Sequence, residues 1–311
     1  MTTAMLTFGV LDAVQLGRGN IVSASTSSGA LPEDGTEPWS AAEAYAVGDL
    51  RHRESTGEVY IRVSAGTTPN PPEVDPINWR ALRPTNKMAP FDLYRSTQAV
   101  GNEQLTYVLR PMEIVSEVWL GGLEATSATI TVTDGPGGPT IFGPHDVALD
   151  GEGVHDWQAF FLAPVRLQES CYVSGIPMAT DPVVTITLSN PGGTARLGAI
   201  QMGRFIGIGM TEYGAEFSVI PYSYRKFAED GTYTYVKRPS GGEISAPVFV
   251  EPDNATLVRD LLLRYESVPA LWIGHSADQY SPLRGFGVFE GSLRYDNYGQ
   301  CTLTGRIQSM I

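Results

Sequence analysis

The chain has 311 residues, of which 42% are hydrophobic, so it is long enough for two or three domains that each bury a core. Acidic side chains outnumber basic ones by 34 to 21, and the resulting net charge of −13 disfavours binding to nucleic acid. No apolar stretch approaches the roughly 18 residues that a membrane-spanning helix needs, and the N-terminus lacks a signal-peptide pattern. We therefore expect neither a nucleic-acid partner nor membrane insertion.

The 34 glycines and 22 prolines are spread along the whole chain and divide it into many short segments. Such punctuation is typical of all-β proteins and disfavours a helical bundle. The sequence therefore predicts a mainly β fold with three parts. These are a small three-stranded module, a jelly-roll-like sandwich and a C-terminal antiparallel β-sandwich flanked by one α-helix.

Residues 1–37 begin with a weakly apolar stretch and end in the Ser/Thr/Gly-rich run SASTSSGALPEDGTEP. This composition predicts an N-terminal arm and linker, ordered mainly by contacts with neighbouring molecules. Residues 38–84 hold two of the five tryptophans and end near a second proline-containing stretch. They are predicted to form a separate mini-domain.

Residues 86–201 contain two segments in which apolar and hydroxyl side chains alternate, ATITVT at 128–133 and VVTITL at 183–188. Alternation with a period of two, beside the glycine turns DGPGGP and NPGG, predicts half-buried antiparallel strands. We expect a β-sandwich in this region.

Residues 203–311 contain several predicted strands joined by hairpin turns, and one helix at about 253–266. The helix follows Pro252, and its apolar residues recur every three to four positions, at Leu257, Val258, Leu261, Leu262 and Tyr265. This stripe should cover one sheet, which gives a β domain with one flanking helix.

The chain offers few candidates for chemistry. Its histidines, at 52, 145, 155 and 275, stand in different predicted segments. The nearest approach to a metal-binding cluster, residues 145–156 with two histidines and four carboxylates, matches no calcium-loop spacing. Cys171 and Cys301 are predicted to be free thiols. We expect no metal and no cofactor.

The nucleophile-elbow, Walker and zinc-protease motifs are missing, so the chain is predicted not to be an enzyme and to have no catalytic residues. A glycan-degrading enzyme stays open as an alternative, because glycoside hydrolysis needs only two carboxylates about 5 to 10 Å apart.

Residues 39–79 resemble the chitin-binding-type carbohydrate-binding modules found in chitinases and in many phage tail proteins. The matching residues are Trp39, Tyr45, Gly48, Asp49, Tyr60, Pro71 or Pro72, and Trp79. The resemblance implies that the rings of Trp39, Tyr45 and Trp79 stack on a sugar. The sequence departs from the family after Tyr60, where Ile61-Arg62-Val63-Ser64 replaces the usual tryptophan. The module is therefore either a sugar binder or a rigid spacer or assembly contact.

The region from Leu197 onward resembles bacteriophage tail components of the minor-tail or distal-tail type. The resemblance rests on six strings, at 197–203, 206–207, 211–214, 223–226, 237–240 and 270–274. It implies a tail-tube-like or distal-tail-like β domain in a tail tip or baseplate protein. Such a protein would form a symmetric trimer or hexamer and contact other tail or baseplate proteins, with host-surface glycans as a further candidate partner. It would be assembled in the host cytoplasm and reside in the virion. A soluble carbohydrate-binding adhesion protein is the alternative.

Tyrosines alternate on two predicted strands of the same region, at Tyr222, Tyr224, Tyr233 and Tyr235. Tyrosine is enriched in protein interfaces, so these four are candidate interface residues. Packing within the domain is the other interpretation.

Overall fold

The structure is a computed structural model that describes residues 7–67, 69–151, 167–227, 231–238, 240–275, 278–297 and 299–310. The mainly β class is confirmed, with one α-helix in the described parts of the chain. No helix among those parts is long and apolar enough to cross a membrane. The chain divides into two compact units. The first contains residues up to Val14, Ser116–Val118 and residues from Gln201 onward, and the second contains Gln15–Val115 and Trp119–Ile200.

The strands are, in chain order, β1 (Thr7–Ala13), β2 (Ile21–Thr26), β3 (Gly29–Ala30), β4 (Glu37–Pro38), β5 (Leu50–Arg53), β6 (Glu58–Arg62), β7 (Trp79–Pro84), β8 (Ala99–Leu109), β9 (Glu117–Gly121), β10 (Ser127–Asp134), β11 (Thr140–Ala148), β12 (Ser170–Val173), β13 (Pro182–Leu197), β14 (Ala199–Thr211), β15 (Glu216–Pro221), β16 (Tyr224–Phe227), β17 (Tyr233–Val236), β18 (Ser240–Val250), β19 (Ala270–Ile273), β20 (Arg284–Asn297) and β21 (Gln300–Ser309). The helix α1 spans Ala255–Arg264. Short 3-10 segments lie at Arg18–Asn20, Pro72–Val74, Ala89–Phe91, Pro252–Asn254 and Asp278–Leu283.

The first unit is organised around a closed ring of six antiparallel strands. The hydrogen-bonded order is β14-β1-β19-β20-β21-β18, and β18 pairs back to β14 through Met210↔Phe249 and Thr211↔Val248. Closure removes the free edges that an open sheet would expose. The predicted antiparallel arrangement of this region is thus present in barrel form, and β15 extends it beside β18.

Aromatic rings fill the inside of this barrel. The rings of Trp272 and Phe289 are stacked with centroids 4.4 Å apart, and Phe8 lies 6.0 Å from Trp272. Side chains fill small barrels of this kind, so the inside is a packed core. The helix contributes to the same core cluster through Val258, Leu261 and other residues.

The helix agrees with its prediction at the centre and is shorter at both ends. The predicted residues 253 and 254 lie in the 3-10 turn, and the helix ends at Arg264. Leu257, which the sequence places on the buried stripe, is 48% exposed. Each helical residue turns the chain by about 100°, and the buried face is centred on Val258 and Leu261, so Leu257 falls on its flank.

In the second unit the main sheet has the order β11-β10-β13-β8-β2-β3, and all its pairings within the described residues are antiparallel. The alternation predicted for β10 and β13 is confirmed, since the inward residues Ile130, Val132, Val184, Ile186 and Leu188 are fully buried. The outward hydroxyls of this face also meet, because Thr106 donates to Thr187 at 3.2 Å.

The N-terminal residues differ from the predicted arm and linker. Residues 7–13 form β1, a barrel strand that pairs with β14 on one side and β19 on the other. Its residues Phe8, Val10 and Leu11 are buried. Residues 21–26 form β2, which pairs with β8. The sequence TFGVLDA does not alternate between apolar and polar residues, because β1 lies between two other strands and is largely buried. Without that alternation the sequence did not indicate a strand, which is why an arm was predicted.

Residues 37–84 form a small sheet of their own, the module. Its order is β4-β5-β6-β7, with β5, β6 and β7 antiparallel. The fourth strand, beyond the three predicted, is the two-residue β4, which runs parallel to β5.

Two acidic residues that precede the module tie it to flanking segments of the second unit. Asp34 accepts two hydrogen bonds from Arg83, at 2.8 and 3.0 Å, and one from the Asn86 amide at 3.1 Å. Glu33 accepts from Arg18 at 2.6 Å and from the Thr85 hydroxyl at 3.0 Å. The predicted linker is therefore a cross-linked junction.

Candidate assembly surface

The module is built around three aromatic rings, two of them candidate sugar-binding residues. Trp79 is 1% exposed and Tyr45 is 2% exposed, and they pack edge to face with Tyr60 nearby. The Tyr45 hydroxyl donates to the Ser40 carbonyl at 2.7 Å and accepts from the Ser40 amide at 2.8 Å. Burial raises the pKa of this phenol. A buried ring offers no face to a pyranose, so Tyr45 and Trp79 act here as core residues.

Arg62 lies at the end of β6, in the stretch Ile61–Ser64 that follows Tyr60. Its side chain is buried, with the guanidinium carbon 5.1 Å from the Trp79 ring and 5.8 Å from the Tyr45 ring. The guanidinium also donates to the backbone carbonyls of Ser64 and Gly66. Stacking on aromatic faces stabilises a cation that has lost water. Arg62 is therefore part of the module's core.

Trp39 is the third candidate ring and is half-buried against the same cluster. The guanidinium of Arg53 lies 5.0 Å above its ring and is held there by Glu73, which accepts from Arg53 at 2.8 Å. A sugar that stacked on that side would have to displace Arg53. The three predicted rings lie in one module, but none is an open platform.

The clearest exposed surface lies in the first unit, in a segment that we name the arm, residues 216–227 and 231–238. It contains β15, which pairs with β18, followed by the separate two-stranded hairpin β16–β17. The hairpin pairs Tyr224 with Val236 and Phe227 with Tyr233.

Residues paired across an antiparallel hairpin point to the same side, so the register defines two faces. One face carries Arg225, Phe227, Tyr233 and Tyr235. Its rings meet, with Phe227 and Tyr233 centroids 5.9 Å apart and the Arg225 guanidinium 5.2 Å from the Tyr233 ring. The other face carries Tyr224, over which Arg238 lies at 4.9 Å.

Both faces of the hairpin are exposed. On the first face the exposed fractions are 68% for Phe227, 57% for Tyr233 and 59% for Tyr235, and on the second Tyr224 is 45% exposed. Tyr222, at the end of β15, is 44% exposed. The four predicted interface tyrosines therefore lie together on one projecting segment, and none is buried within the chain.

This exposure is unusual in physical terms. A lone two-stranded hairpin is marginally stable in water, because it has no second layer against which to bury its side chains. Phe227, Tyr233 and Tyr235 lie together on one face of this hairpin, and contiguous exposed aromatic side chains often mark interaction sites. The arm has the character of a surface that a partner covers.

The arm is also basic. Between Tyr222 and Arg238 the sequence has four basic and two acidic residues, a net charge of +2 in a chain whose total is −13. The basic residues are Arg225, Lys226, Lys237 and Arg238. Charge therefore separates the arm from the rest of the molecule, which favours contact with an acidic surface.

The remaining candidates for chemistry stay apart. Among the described residues no group of three His, Cys, Asp or Glu side chains is placed to hold a metal ion, while Glu152, His155 and Asp156 lie outside those residues. Cys171 and Cys301 are buried thiols that form no disulfide, as predicted. Burial raises the pKa of Asp92, whose carboxylate accepts from the Tyr94 amide at 2.8 Å and also meets Thr97.

Comparison with known proteins returns no match: no family model, no curated protein and no solved structure is similar to this chain.

Proposed function

We propose that the chain is a structural component of a bacteriophage tail tip or baseplate and that it assembles as a symmetric oligomer through the arm. The observation that carries the proposal is the aromatic hairpin exposed on both faces. Aromatic and arginine side chains are the commonest anchors of protein interfaces, and here they are grouped on one projecting element.

The closed barrel supports the same proposal. Strands inside the closed ring are paired on both sides, so the remaining edges of this sheet lie on strands outside the ring, and one of them is β15 of the arm. Two of the strings that resemble tail components lie in these elements. One of them, Ser223–Lys226, overlaps the start of the hairpin, and another, Ala270–Gly274, includes β19 of the barrel.

In this proposal the arm binds a neighbouring copy or another tail protein in the virion, in a trimer or hexamer assembled in the host cytoplasm. A contact between two different surfaces of identical copies is heterologous, and it forms a ring when the rotation closes. The module then acts as a rigid spacer, since its rings and Arg62 form a core and Glu33 and Asp34 fix its base.

Mass spectrometry of purified particles of the encoding phage tests the proposal. We expect peptides of this chain in gradient-purified intact particles, at a constant ratio to a known tail protein. Their absence from intact particles would contradict the proposal, whereas their presence only in the unassembled fraction of the lysate would favour a soluble adhesion protein.

The sugar-binding alternative has its own test. A glycan array probed with the full-length chain should give no binding that depends on Trp39, because Arg53 covers that ring. Binding that Trp39→Ala abolishes, with the melting temperature unchanged, would restore the sugar-binding interpretation.

A further inference from the structure

We infer that the arm of one copy docks on the outer face of α1 in a second copy. The inference rests on the proposed function and names the partner of the arm. It is drawn from the charge and the exposed side chains of α1, which belongs to the same unit as the arm.

The outer face of α1 carries one large apolar side chain, Leu263, which is 65% exposed. The buried side of the helix carries Val258 and Leu261, so Leu263 and its neighbour Asp260 point away from the barrel core. Leu257, on the flank of the buried face, is 48% exposed, and Val268, just past the helix, is 44% exposed. Leu263 therefore offers an apolar contact on the side of the helix that faces water.

The same face is acidic. From Glu251 to Glu266 the sequence has four acidic and two basic residues, a net charge of −2, against +1 over residues 216–238 of the arm, where Glu216 is a third acidic residue. The two arginines are already engaged, Arg259 with Asp260 at 2.8 Å and Arg264 with Asp12 at 3.0 Å. The exposed acidic residues at 251, 253 and 266 therefore give both ends of the helix a negative charge.

Charge also decides between the two ways in which copies could meet. Two arms packed on each other would bring their basic residues together, and such like-charge contacts are costly. An arm on a helix pairs opposite charges and buries rings against leucines.

Charge reversal in the full-length chain tests the inference, with association followed by sedimentation velocity and native mass spectrometry. Arg225→Glu with Arg238→Glu reverses the arm, and Asp253→Lys with Glu266→Lys reverses the helix face. Each double variant should raise the dissociation constant for self-association by roughly tenfold or more. Arg306→Glu, at an exposed position on β21, is the matched control and should leave the constant unchanged.

Mixing the two double variants gives the sharpest result. The acidic arm of one variant then meets the basic helix face of the other, and the remaining arm and helix keep their native charges, so association of unlike copies should return to near the wild-type constant. In a hexamer the two variants can alternate around the whole ring, whereas in a trimer the recovery stops at unlike pairs. Recovery on mixing also shows that both variants fold.

Three results would overturn the inference. They are a wild-type chain that stays monomeric, a helix reversal without effect, and an arm reversal that mixing does not rescue. The presence of the chain in particles is tested separately by mass spectrometry. If the chain is found there but its arm does not bind α1, the arm docks on another tail protein.

Discussion

The module and the arm are both rich in aromatic residues, yet they place them oppositely. In the module the rings of Tyr45 and Trp79 are at most 2% exposed, whereas in the arm Phe227, Tyr233 and Tyr235 are more than half exposed. The two regions differ in whether other parts of the chain cover the rings. The module's four strands and its loops wrap the rings around Arg62, while β16 and β17 stand as two strands without a second layer. The rings of the module stabilise their own fold, whereas the rings of the arm stay exposed and are, in our proposal, covered by a partner.

The largest effect should come from removing the ring at the centre of the module. Trp79→Ala leaves a cavity beside Tyr45 and Arg62, and should lower the free energy of unfolding by about 3 to 5 kcal/mol. Urea denaturation followed by tryptophan fluorescence and circular dichroism measures the change. Leu82→Ala on the same strand, where the side chain is 49% exposed, serves as the control and should cost much less. Equal losses of unfolding free energy for Trp79→Ala and Leu82→Ala would contradict the assignment of Trp79 to the core of the module.

The arm should show the reverse behaviour. Replacing Phe227 and Tyr233 by serine should change the free energy of unfolding by no more than about 0.5 kcal/mol for each residue, since neither ring is buried in the chain. Self-association should weaken by roughly tenfold to a hundredfold, because central aromatic residues dominate interfaces. Sedimentation velocity and thermal melting measure the two quantities on one sample. Tyr295→Ser, another exposed tyrosine of the first unit at 66%, should alter neither. Loss of stability without loss of association would mean that the arm rings support the fold.

The junction below the module predicts a pH dependence. Burial opposes the ionisation of Asp34, but hydrogen bonds from Arg83 and Thr36 outweigh it and lower its pKa from 3.8 to about 2. A lowered folded pKa gives stability that is present above the unfolded value and is lost as pH falls towards 2.

Asp34→Asn should remove this contribution, about 1 to 2 kcal/mol, and flatten the stability profile between pH 4 and 2. Urea denaturation at a series of pH values measures the profile, with Asp146→Asn, which lies on the edge strand β11, as the control. A variant whose profile kept the wild-type slope would place the acid dependence on another carboxylate.

The smallest effect concerns single hydroxyl groups. Tyr45→Phe removes both hydrogen bonds to the Ser40 backbone and leaves the buried ring without its polar contact, which should cost about 1 kcal/mol. Tyr235→Phe removes a hydroxyl from an exposed ring and should cost almost nothing. Thermal melts of the two variants compare the regions directly, and a melting temperature that drops equally in both would contradict the assignment of Tyr45 to the core.

Local patterns predicted the strands better than their partners. The alternation in β10 and β13 specifies one buried face, and the structure buries it as predicted. The barrel could not be predicted in this way, because Gly9 pairs with Ile273 and Met210 with Phe249, across long stretches of chain that no local period links. The helix was recognisable from its spacing, but the position of its buried face within one residue was not, as Leu257 shows.

The candidate site shows the same limit. Alternating tyrosines predict that Tyr222 and Tyr224 share a side of an extended segment, but alternation does not say whether that side meets a core or water. In the module, ring spacing could not distinguish a sugar platform from a core, because either needs aromatic residues. The informative residue there was Arg62, in the stretch that follows Tyr60, whose buried guanidinium lies between two rings.

The central claim, that the arm is covered on assembly, is tested most directly by hydroxyl-radical footprinting of the arm tyrosines in the free chain and in assembled particles. The account predicts that Tyr233 and Tyr235 react readily in the free chain and become strongly protected in the particle, while Tyr45 is protected in both. Tyrosines of the arm that remain as reactive in the particle as in the free chain would contradict it.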